Sequence, residues 1–89
     1  MEPLVEWDPE KALSNLKKHG VAFAEALTAM EDEMAITIED EHADERRFIT
    51  LGLSESGRLV VVVYTYRGES VRIISARKAT TTEKTAYEE

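Results

Sequence analysis

Residues 58–66 constrain the fold of this 89-residue chain more than any other segment. From Leu59 to Val63 every residue is apolar, and β-branched and aromatic residues continue to Tyr66. An extended segment that is apolar at every position presents a hydrophobic surface on both faces, and both faces then need cover. The sequence therefore predicts a central β-strand with other elements packed against it.

Further strands are predicted before and after this segment. Residues 35–38, 47–53 and 71–77 have the composition and alternation of strands, and residues 54–57 have the serine and glycine of a turn. The acidic stretch 39–45 is predicted to be a loop. In the last strand, strict alternation puts Val71, Ile73, Ser75 and Arg77 on one face, and Arg72, Ile74 and Ala76 on the other.

The first helix has signals at both ends. Asp8 is a suitable N-cap, Pro9 suits the first helical position, and Gly20 follows where a left-handed residue commonly ends a helix. These signals predict a helix from Pro9 to about His19. Its apolar stripe is predicted to consist of Ala12, Leu13 and Leu16.

Two more helices are predicted. Phe23, Ala26, Leu27 and Met30 recur at helical spacing, which indicates a second short amphipathic helix. Thr80 and Glu83 have the spacing of a capping box, and they open a terminal helix that runs through Tyr87. The predicted order is two helices, four strands and one helix, which is a single α+β domain over residues 1–89.

Charge is distributed unevenly along the chain, although the net charge is −7. Residues 1–45 contain three lysines against 13 acidic residues, a balance of −10, whereas residues 46–89 contain eight basic residues against five acidic ones, a balance of +3. Every arginine lies in the second half. Such asymmetry is consistent with a polyanion-binding face and equally with solvated strand surfaces.

Composition also narrows the class of protein. The chain has no cysteine, and its acidic stretch lacks the glycine and regular ligand spacing of a calcium loop, so we expect neither a metal nor another cofactor. No apolar run approaches the roughly 20 residues of a membrane helix, and the acidic N-terminal residues do not resemble a signal peptide. We therefore expect a cytoplasmic protein.

Two groups of residues resemble the BrnT family of toxins from type II toxin–antitoxin modules. The first group is the KHG-V-x-F pattern of residues 18–23, preceded by WDPEK at 7–11; the second is RIISAR at 72–77, preceded by LGLS at 51–54. The resemblance runs from about residue 5 to the C-terminus. The chain departs from the family pattern at Ala22, where serine is common, and in residues 79–85, which lack the usual arginines.

The resemblance implies a RelE-like fold, with two N-terminal helices packed on a four-stranded twisted antiparallel sheet and a short C-terminal helix. It implies a metal-independent ribonuclease that inhibits translation and is neutralised by a BrnA-type ribbon-helix-helix antitoxin. Operator DNA would be bound through the antitoxin complex, and there would be no membrane partner. The alternative is a catalytically weakened module that still binds its antitoxin and co-represses the operon. A homodimer and a heterotetramer with the antitoxin both stay open.

Seven residues are candidates for binding or cleaving RNA. Arginine suits phosphate because its planar guanidinium stays charged and binds two oxygens at once, and histidine can transfer protons near neutral pH. Each candidate also has a plain structural interpretation: solvated strand arginines, a half-buried histidine at a helix end, a solvated lysine and a packing tyrosine. The predicted catalytic residues are His19, Arg67 and Arg77, and the predicted substrate-binding residues are Lys18, Arg47, Arg72 and Tyr87.

Overall fold

The computed structural model describes residues 4–42 and 45–89, without the side chains of Glu41 and His42. In these ranges, three helices surround a single sheet of five strands. In chain order the elements are β1 (Val5–Glu6), α1 (Pro9–His19), α2 (Phe23–Met30), β2 (Ile36–His42), β3 (Glu45–Leu53), β4 (Leu59–Arg67), β5 (Ser70–Lys78) and α3 (Thr81–Glu88).

The strands lie in the order β1-β5-β4-β3-β2, so β4 occupies the centre as its apolar run predicts. The four strands β2 to β5 pair antiparallel in sequence order. The prediction of a four-stranded, wholly antiparallel sheet is wrong in one respect, because β1 adds a fifth strand that pairs parallel with β5. Only Val5 and Glu6 take part in that pairing, and two residues are too few to show a strand pattern.

Helix α1 begins and ends where the sequence predicts. The Asp8 side chain accepts a hydrogen bond from the Glu10 N–H, and Gly20 adopts the left-handed conformation with φ of 71°. The predicted apolar stripe is wrong for two of its members, because Leu13 and Leu16 are 55% and 43% exposed.

The buried residue of α1 is Asn15. Its Nδ2 donates to the carbonyl oxygens of Val21 and Ala76, at 2.9 and 2.8 Å, and its Oδ1 accepts from the Ala76 N–H at 3.1 Å. Strand β5 is paired with β1 only at Val71 and Arg72, so the outer edge of β5 is open at Ala76. The asparagine satisfies the backbone groups that a neighbouring strand would otherwise bind, and this fixes α1 to the edge of the sheet.

Helix α2 packs on the middle of the same sheet face, as its apolar periodicity predicts. Phe23, Ala26 and Ala29 are buried in the core with the β4 and β5 side chains that point to this face. The approach is close at Gly52 of β3, where an added Cβ would lie 2.1 Å from the Ala29 carbonyl oxygen. Glycine at this position therefore allows the helix to pack directly against the strand.

The acidic stretch 39–45 is not a loop where the structure describes it. Glu39 to His42 extend β2, and Glu45 begins β3; residues 43 and 44 lie outside the described ranges. Strand β3 supplies the compensation for the charge, because Asp40 lies opposite Arg47 and the Arg46 guanidinium binds the Glu39 carboxylate through two hydrogen bonds. Opposite charges across an antiparallel pair favour the strand, and this pairing cannot be seen in the acidic segment alone.

Strict alternation also fails in β5. The pairing of β4 with β5 shifts between Val63, which lies opposite Ser75, and Tyr64, which lies opposite Ile73. Ile74 is thus an extra residue, which is a β-bulge, and the faces of β5 exchange across it. Consistent with this exchange, Val71, Ile73 and Ala76 all belong to one buried core. The predicted separation of Arg72 from Arg77 is therefore wrong, and the two arginines share a face.

None of the helices in the described part of the chain is long and apolar enough to cross a membrane.

Candidate functional site

Four arginines lie on the sheet face opposite helices α1 and α2. Arg47 and Arg72 are the partners of Thr65 from either side, and Arg77 is the partner of Val61. Directly opposed residues point to the same face of a sheet, and so do residues two apart on one strand. Thr65, Val61 and Arg67 therefore share this face of β4, and the arginines opposite them share it as well. We call this surface the arginine face.

The four arginines do not converge on one point. Arg67 and Val61 are six residues apart on β4, which corresponds to about 20 Å along a strand. Arg67 and Arg77 therefore stand at opposite ends of the face, although the sequence predicts both to be catalytic. Arg47 and Arg72 flank Thr65, two residues from Arg67, so these three guanidinium groups form the compact part of the cluster.

The floor between the two ends is apolar. Val63 in β4 has Ile49 of β3 beside it, and Ile38 of β2 lies beyond Ile49. Ile38 is 58% exposed, so the apolar floor extends to the outer strand without a covering element. The face thus combines an open hydrophobic surface with positive charge at its end, an arrangement that suits a polyanion with apolar rings.

Three of the four arginines contact a carboxylate in the free chain. Arg47 Nε lies 2.9 Å from Glu45 Oε1, Arg72 Nη1 lies 3.7 Å from Glu6 Oε1, and Arg77 binds Glu83 through two hydrogen bonds of 2.8 and 2.9 Å. Arg67 is exposed and has no hydrogen-bond or ion-pair partner within residues 4–42 and 45–89. Arg67 is therefore the guanidinium on this face that is most available to a ligand.

The pair of Arg77 and Glu83 connects the sheet to α3. The same Glu83 carboxylate accepts a hydrogen bond from the Thr80 N–H, and the Thr80 hydroxyl accepts one from the Glu83 N–H, which completes the predicted capping box. Hydrogen bonds from the Arg77 guanidinium, followed by the one from the Thr80 backbone, lower the pKa of Glu83 to about 2, and the Glu83 carboxylate raises the pKa of Arg77. Arg77 is consequently occupied in fixing the first turn of α3.

Tyr87 fixes the other end of α3. Its hydroxyl donates to Asp32 Oδ2 at 2.5 Å, and the Asp32 carboxylate also accepts from the N–H groups of Leu53 and Met34. The hydrogen bond between them lowers the pKa of Asp32 and raises that of Tyr87. Leu53 ends β3 at the opposite end from Arg47, so Tyr87 does not lie beside the compact arginines.

His19 and Lys18 belong to the helical layer. Ala12 of the same helix packs against the core that covers the other face of the sheet. Lys18 is exposed and His19 is partly buried, next to the Gly20 carbonyl that accepts a hydrogen bond from Arg58. The structure does not bring these two predicted residues together with the arginine face.

Three carboxylates that the sequence did not single out lie on the arginine face, and one of them is Asp40 of β2, which lies opposite Arg47. Glu45 precedes Arg47 by two residues in β3, so alternation alone could have placed it there. Glu6 reaches the face because β1 pairs with β5 and puts Glu6 opposite Arg72. No pattern in the sequence predicts that Glu6 lies beside Arg72. All three carboxylates lie in the part of the site that contains the compact arginines.

Helices α1 and α2 over one face of a five-stranded sheet, with four arginines and the attached helix α3 on the other, define a small α+β fold. The family model of BrnT, described as the ribonuclease toxin of a type II toxin–antitoxin system, matches residues 7–83. The chain belongs to this family of ribonuclease toxins, and the resemblance noted in the sequence is confirmed.

The comparison with solved structures supports the same fold. The 1.1 Å crystal structure of the Brucella abortus ribonuclease toxin BrnT superposes with a TM-score of 0.65 at 20% sequence identity. The match covers 91% of this chain and 100% of the Brucella chain. Among curated proteins, the sequence has no significant match.

Proposed function

We propose that this protein is an endoribonuclease toxin that cleaves RNA on the arginine face without a metal ion and thereby inhibits translation. In this proposal, residues 1–89 form one toxin domain with a RelE-like arrangement. The observation that carries it is the cluster of Arg47, Arg67 and Arg72 around Thr65, on the sheet face opposite α1 and α2 and at the end away from the Arg77–Glu83 pair that holds α3. Membership of a ribonuclease toxin family makes RNA the polyanion to test first.

The chemistry follows from the groups on this face. The 2′-hydroxyl of one nucleotide attacks the adjacent phosphorus and loses its proton to a base, while the bond from phosphorus to the 5′-oxygen breaks and that oxygen takes up a proton from water. The products are a 2′,3′-cyclic phosphate and a free 5′-hydroxyl. Arg67 and Arg72 would bind the non-bridging oxygens and stabilise the charge that develops on the pentavalent phosphorus. Glu6 and Glu45 are the carboxylates that contact Arg72 and Arg47, and one of them would take the 2′-hydroxyl proton.

The remaining predicted residues have other positions in this proposal. Arg77 and Tyr87 hold α3 at its two ends, so we assign them to positioning rather than to phosphate. His19 and Lys18 lie in the helical layer, outside the arginine cluster. Their contact with the substrate stays a prediction. The antitoxin that the family implies would be of the BrnA ribbon-helix-helix type, and operator DNA would be bound through the complex.

A second candidate function is a weakened toxin that binds its antitoxin and co-represses the operon without cleaving RNA. Two observations favour it. Carboxylates contact Arg47, Arg72 and Arg77 in the free chain, and residues 79–85 carry one lysine and no arginine. RNA would have to displace these carboxylates before binding three of the four guanidinium groups.

Cleavage of a defined RNA in excess EDTA separates the two candidates. We expect the purified protein to release a 2′,3′-cyclic phosphate, and Arg67→Ala or Arg72→Ala to reduce the rate by about 10²- to 10³-fold, the usual effect of losing one donor to a developing oxyanion. Lys17→Ala is the matched control, because it removes an exposed cation from α1. Intact RNA after incubation with folded protein that still binds its antitoxin would favour the second candidate.

The proton acceptor is identified by comparing Glu6→Gln with Glu45→Gln in the same assay. Each substitution removes a carboxylate from an arginine without a large change in shape. The variant that lacks the base should lose cleavage at every pH while it keeps RNA binding. Full activity in both variants would contradict the assignment of the base to Glu6 or Glu45.

A further inference from the structure

An aromatic cluster lies on the helix-side face, at the end of the sheet that carries Arg67. The rings of Phe48 and Tyr64 stack at 5.8 Å between centroids, and Tyr66 meets them edge to face at 5.1 and 6.1 Å. Tyr66 is 53% exposed, and no other aromatic side chain in the described ranges is more than half exposed. Its hydroxyl has no hydrogen-bond partner within those ranges. The ring is therefore fixed by its neighbours but remains open to solvent.

Tyr66 forms a wall shared by two clefts. One cleft of about 270 Å³ lies toward α2 and is lined by Leu27, Met30 and Thr37 among others. The other, of about 310 Å³, lies toward β3 and is lined by Glu45, Arg46, Phe48 and Thr65. Open space therefore borders the Tyr66 side chain in two directions. A flat ring held in this way is suited to stacking, because a planar ligand can approach it without displacing core residues.

The neighbouring residue supplies a charge. Arg67 follows Tyr66 directly, so alternation sends its guanidinium to the arginine face while the Tyr66 ring stays on the helix side. Arg67 is also the arginine of that face without a partner among the described residues. A single-stranded nucleic acid has both complementary groups, a planar base and a phosphate, on each nucleotide. An acidic peptide would satisfy Arg67 but offers nothing specific to the ring.

We propose that Tyr66 is a base-stacking site for single-stranded RNA, in which a nucleobase lies on the Tyr66 ring while a neighbouring phosphate is bound by Arg67 at the end of the sheet. This deepens the proposed function, on which it rests, by adding a subsite that leads the RNA strand from the helix-side face onto the arginine face. The site selects unpaired bases, because a base within a duplex is already stacked.

Binding must be measured apart from cleavage. The probe is a short fluorescent RNA with 2′-O-methyl groups at every position, which cannot undergo attack by the 2′-hydroxyl, and the readout is fluorescence anisotropy. We expect Tyr66→Ala to weaken binding by about 5- to 150-fold, the effect of losing one base–aromatic stack, and Tyr66→Phe to stay within about twofold of the parent protein. Leu13→Ala, which truncates a side chain that is 55% exposed on α1, is the control and should bind like the parent.

A second measurement does not depend on the folding of any variant. The parent protein is titrated with probes in which one position at a time is abasic, and one position should show the same 5- to 150-fold loss. Equal binding of the parent and Tyr66→Ala, or equal binding of all abasic probes, would overturn the inference. Weakened antitoxin binding in Tyr66→Ala with unchanged RNA binding would overturn it as well, in favour of a protein contact.

The inference and the proposed function fail in different ways. If the parent protein cleaves unmodified RNA but Tyr66→Ala binds the probe as tightly as the parent does, the stacking site is wrong and the ribonuclease proposal stands. A parent protein whose RNA binding depends on Tyr66 but which leaves unmodified RNA intact supports the stacking site and contradicts the ribonuclease. No binding of RNA at all would overturn both.

Discussion

At the scale of single residues, Asn15 is predicted to be a large contributor to stability. It is 7% exposed and makes three hydrogen bonds, two of them to the backbone of Ala76. Asn15→Ala should lower the free energy of unfolding by roughly 2–4 kcal/mol, because it leaves buried backbone groups without partners. Urea denaturation measures this, with Ser14→Ala on the exposed side of α1 as the control. A loss below about 0.5 kcal/mol would show that water replaces the amide.

Glu25 gives the fold a dependence on acid. The Arg58 guanidinium, aided by the hydroxyls of Ser54 and Ser56, holds the pKa of Glu25 at about 2 instead of 4.5. A carboxyl whose pKa is lower in the folded state stabilises the fold above the unfolded value, and this contribution is lost as pH falls from about 4.5 to about 2. The contribution is at most about 3 kcal/mol.

The test compares unfolding free energies between pH 6 and pH 2. Glu25→Gln should flatten the curve below pH 4.5, although part of the slope will remain because Glu83 titrates in the same window. Glu33→Gln, which removes an exposed carboxylate, should leave the slope unchanged. Parallel curves for the parent and Glu25→Gln would mean that the pair of Glu25 and Arg58 forms in the unfolded chain too, or contributes nothing.

At the scale of elements, α2 lacks a side-chain cap that the chain could easily supply. Ala22 has the extended conformation of an N-cap, with φ of −78° and ψ of 145°, but no side chain that accepts a hydrogen bond. Ala22→Ser should stabilise the protein by about 1 kcal/mol, which corresponds to a rise of about 4–8 °C in Tm. The same change at Ala24, inside the first turn, is the control. A Tm that falls in Ala22→Ser would show that the partly buried serine loses more than the cap contributes.

The elements also show what can be read from the sequence. The bounds of α1 follow from residues at its ends, Asp8 and Gly20, and the presence of α2 follows from its apolar periodicity; both were predicted. The extension of β2 beyond the predicted residues 35–38 and the bulge at Ile74 depend on partners in other strands, and both were missed. Local signals determine where a helix begins and ends, whereas register and strand length are set by pairing over long distances in the chain.

At the scale of the whole molecule, the candidate site is a product of topology. Arg47, Arg67, Arg72 and Arg77 were predicted as functional. Alternation alone put Arg72 and Arg77 on opposite faces and could not place Glu6 near Arg72. The bulge at Ile74 brings Arg72 and Arg77 to the same face, and the parallel strand β1 brings Glu6 next to Arg72. The residue types of the candidate site could thus be predicted from the sequence, whereas the strand pairing determines which of these residues lie together.

The balance of charge in the whole molecule leads to a prediction about salt. The chain has a net charge of −7, so long-range attraction to RNA is weak, and binding must depend on the few arginines that touch phosphate. If Arg47, Arg67 and Arg72 each neutralise one phosphate of a single strand, the logarithm of the binding constant should fall against the logarithm of salt concentration with a slope of about −2.

Removing one contact should change that slope by a fixed amount. Anisotropy titrations of the 2′-O-methyl RNA between about 50 and 200 mM salt should give a slope smaller in magnitude by about 0.7 in Arg67→Ala. Lys17→Ala removes the same charge from α1 and should leave the slope unchanged. Equal effects of the two substitutions would indicate that net charge alone governs binding, and a slope near zero in the parent would indicate that the arginine face does not bind phosphate.

Because Glu45 and Glu6 contact Arg47 and Arg72 in the free chain, Glu45→Gln should tighten binding at every salt concentration, since the RNA no longer has to displace a carboxylate.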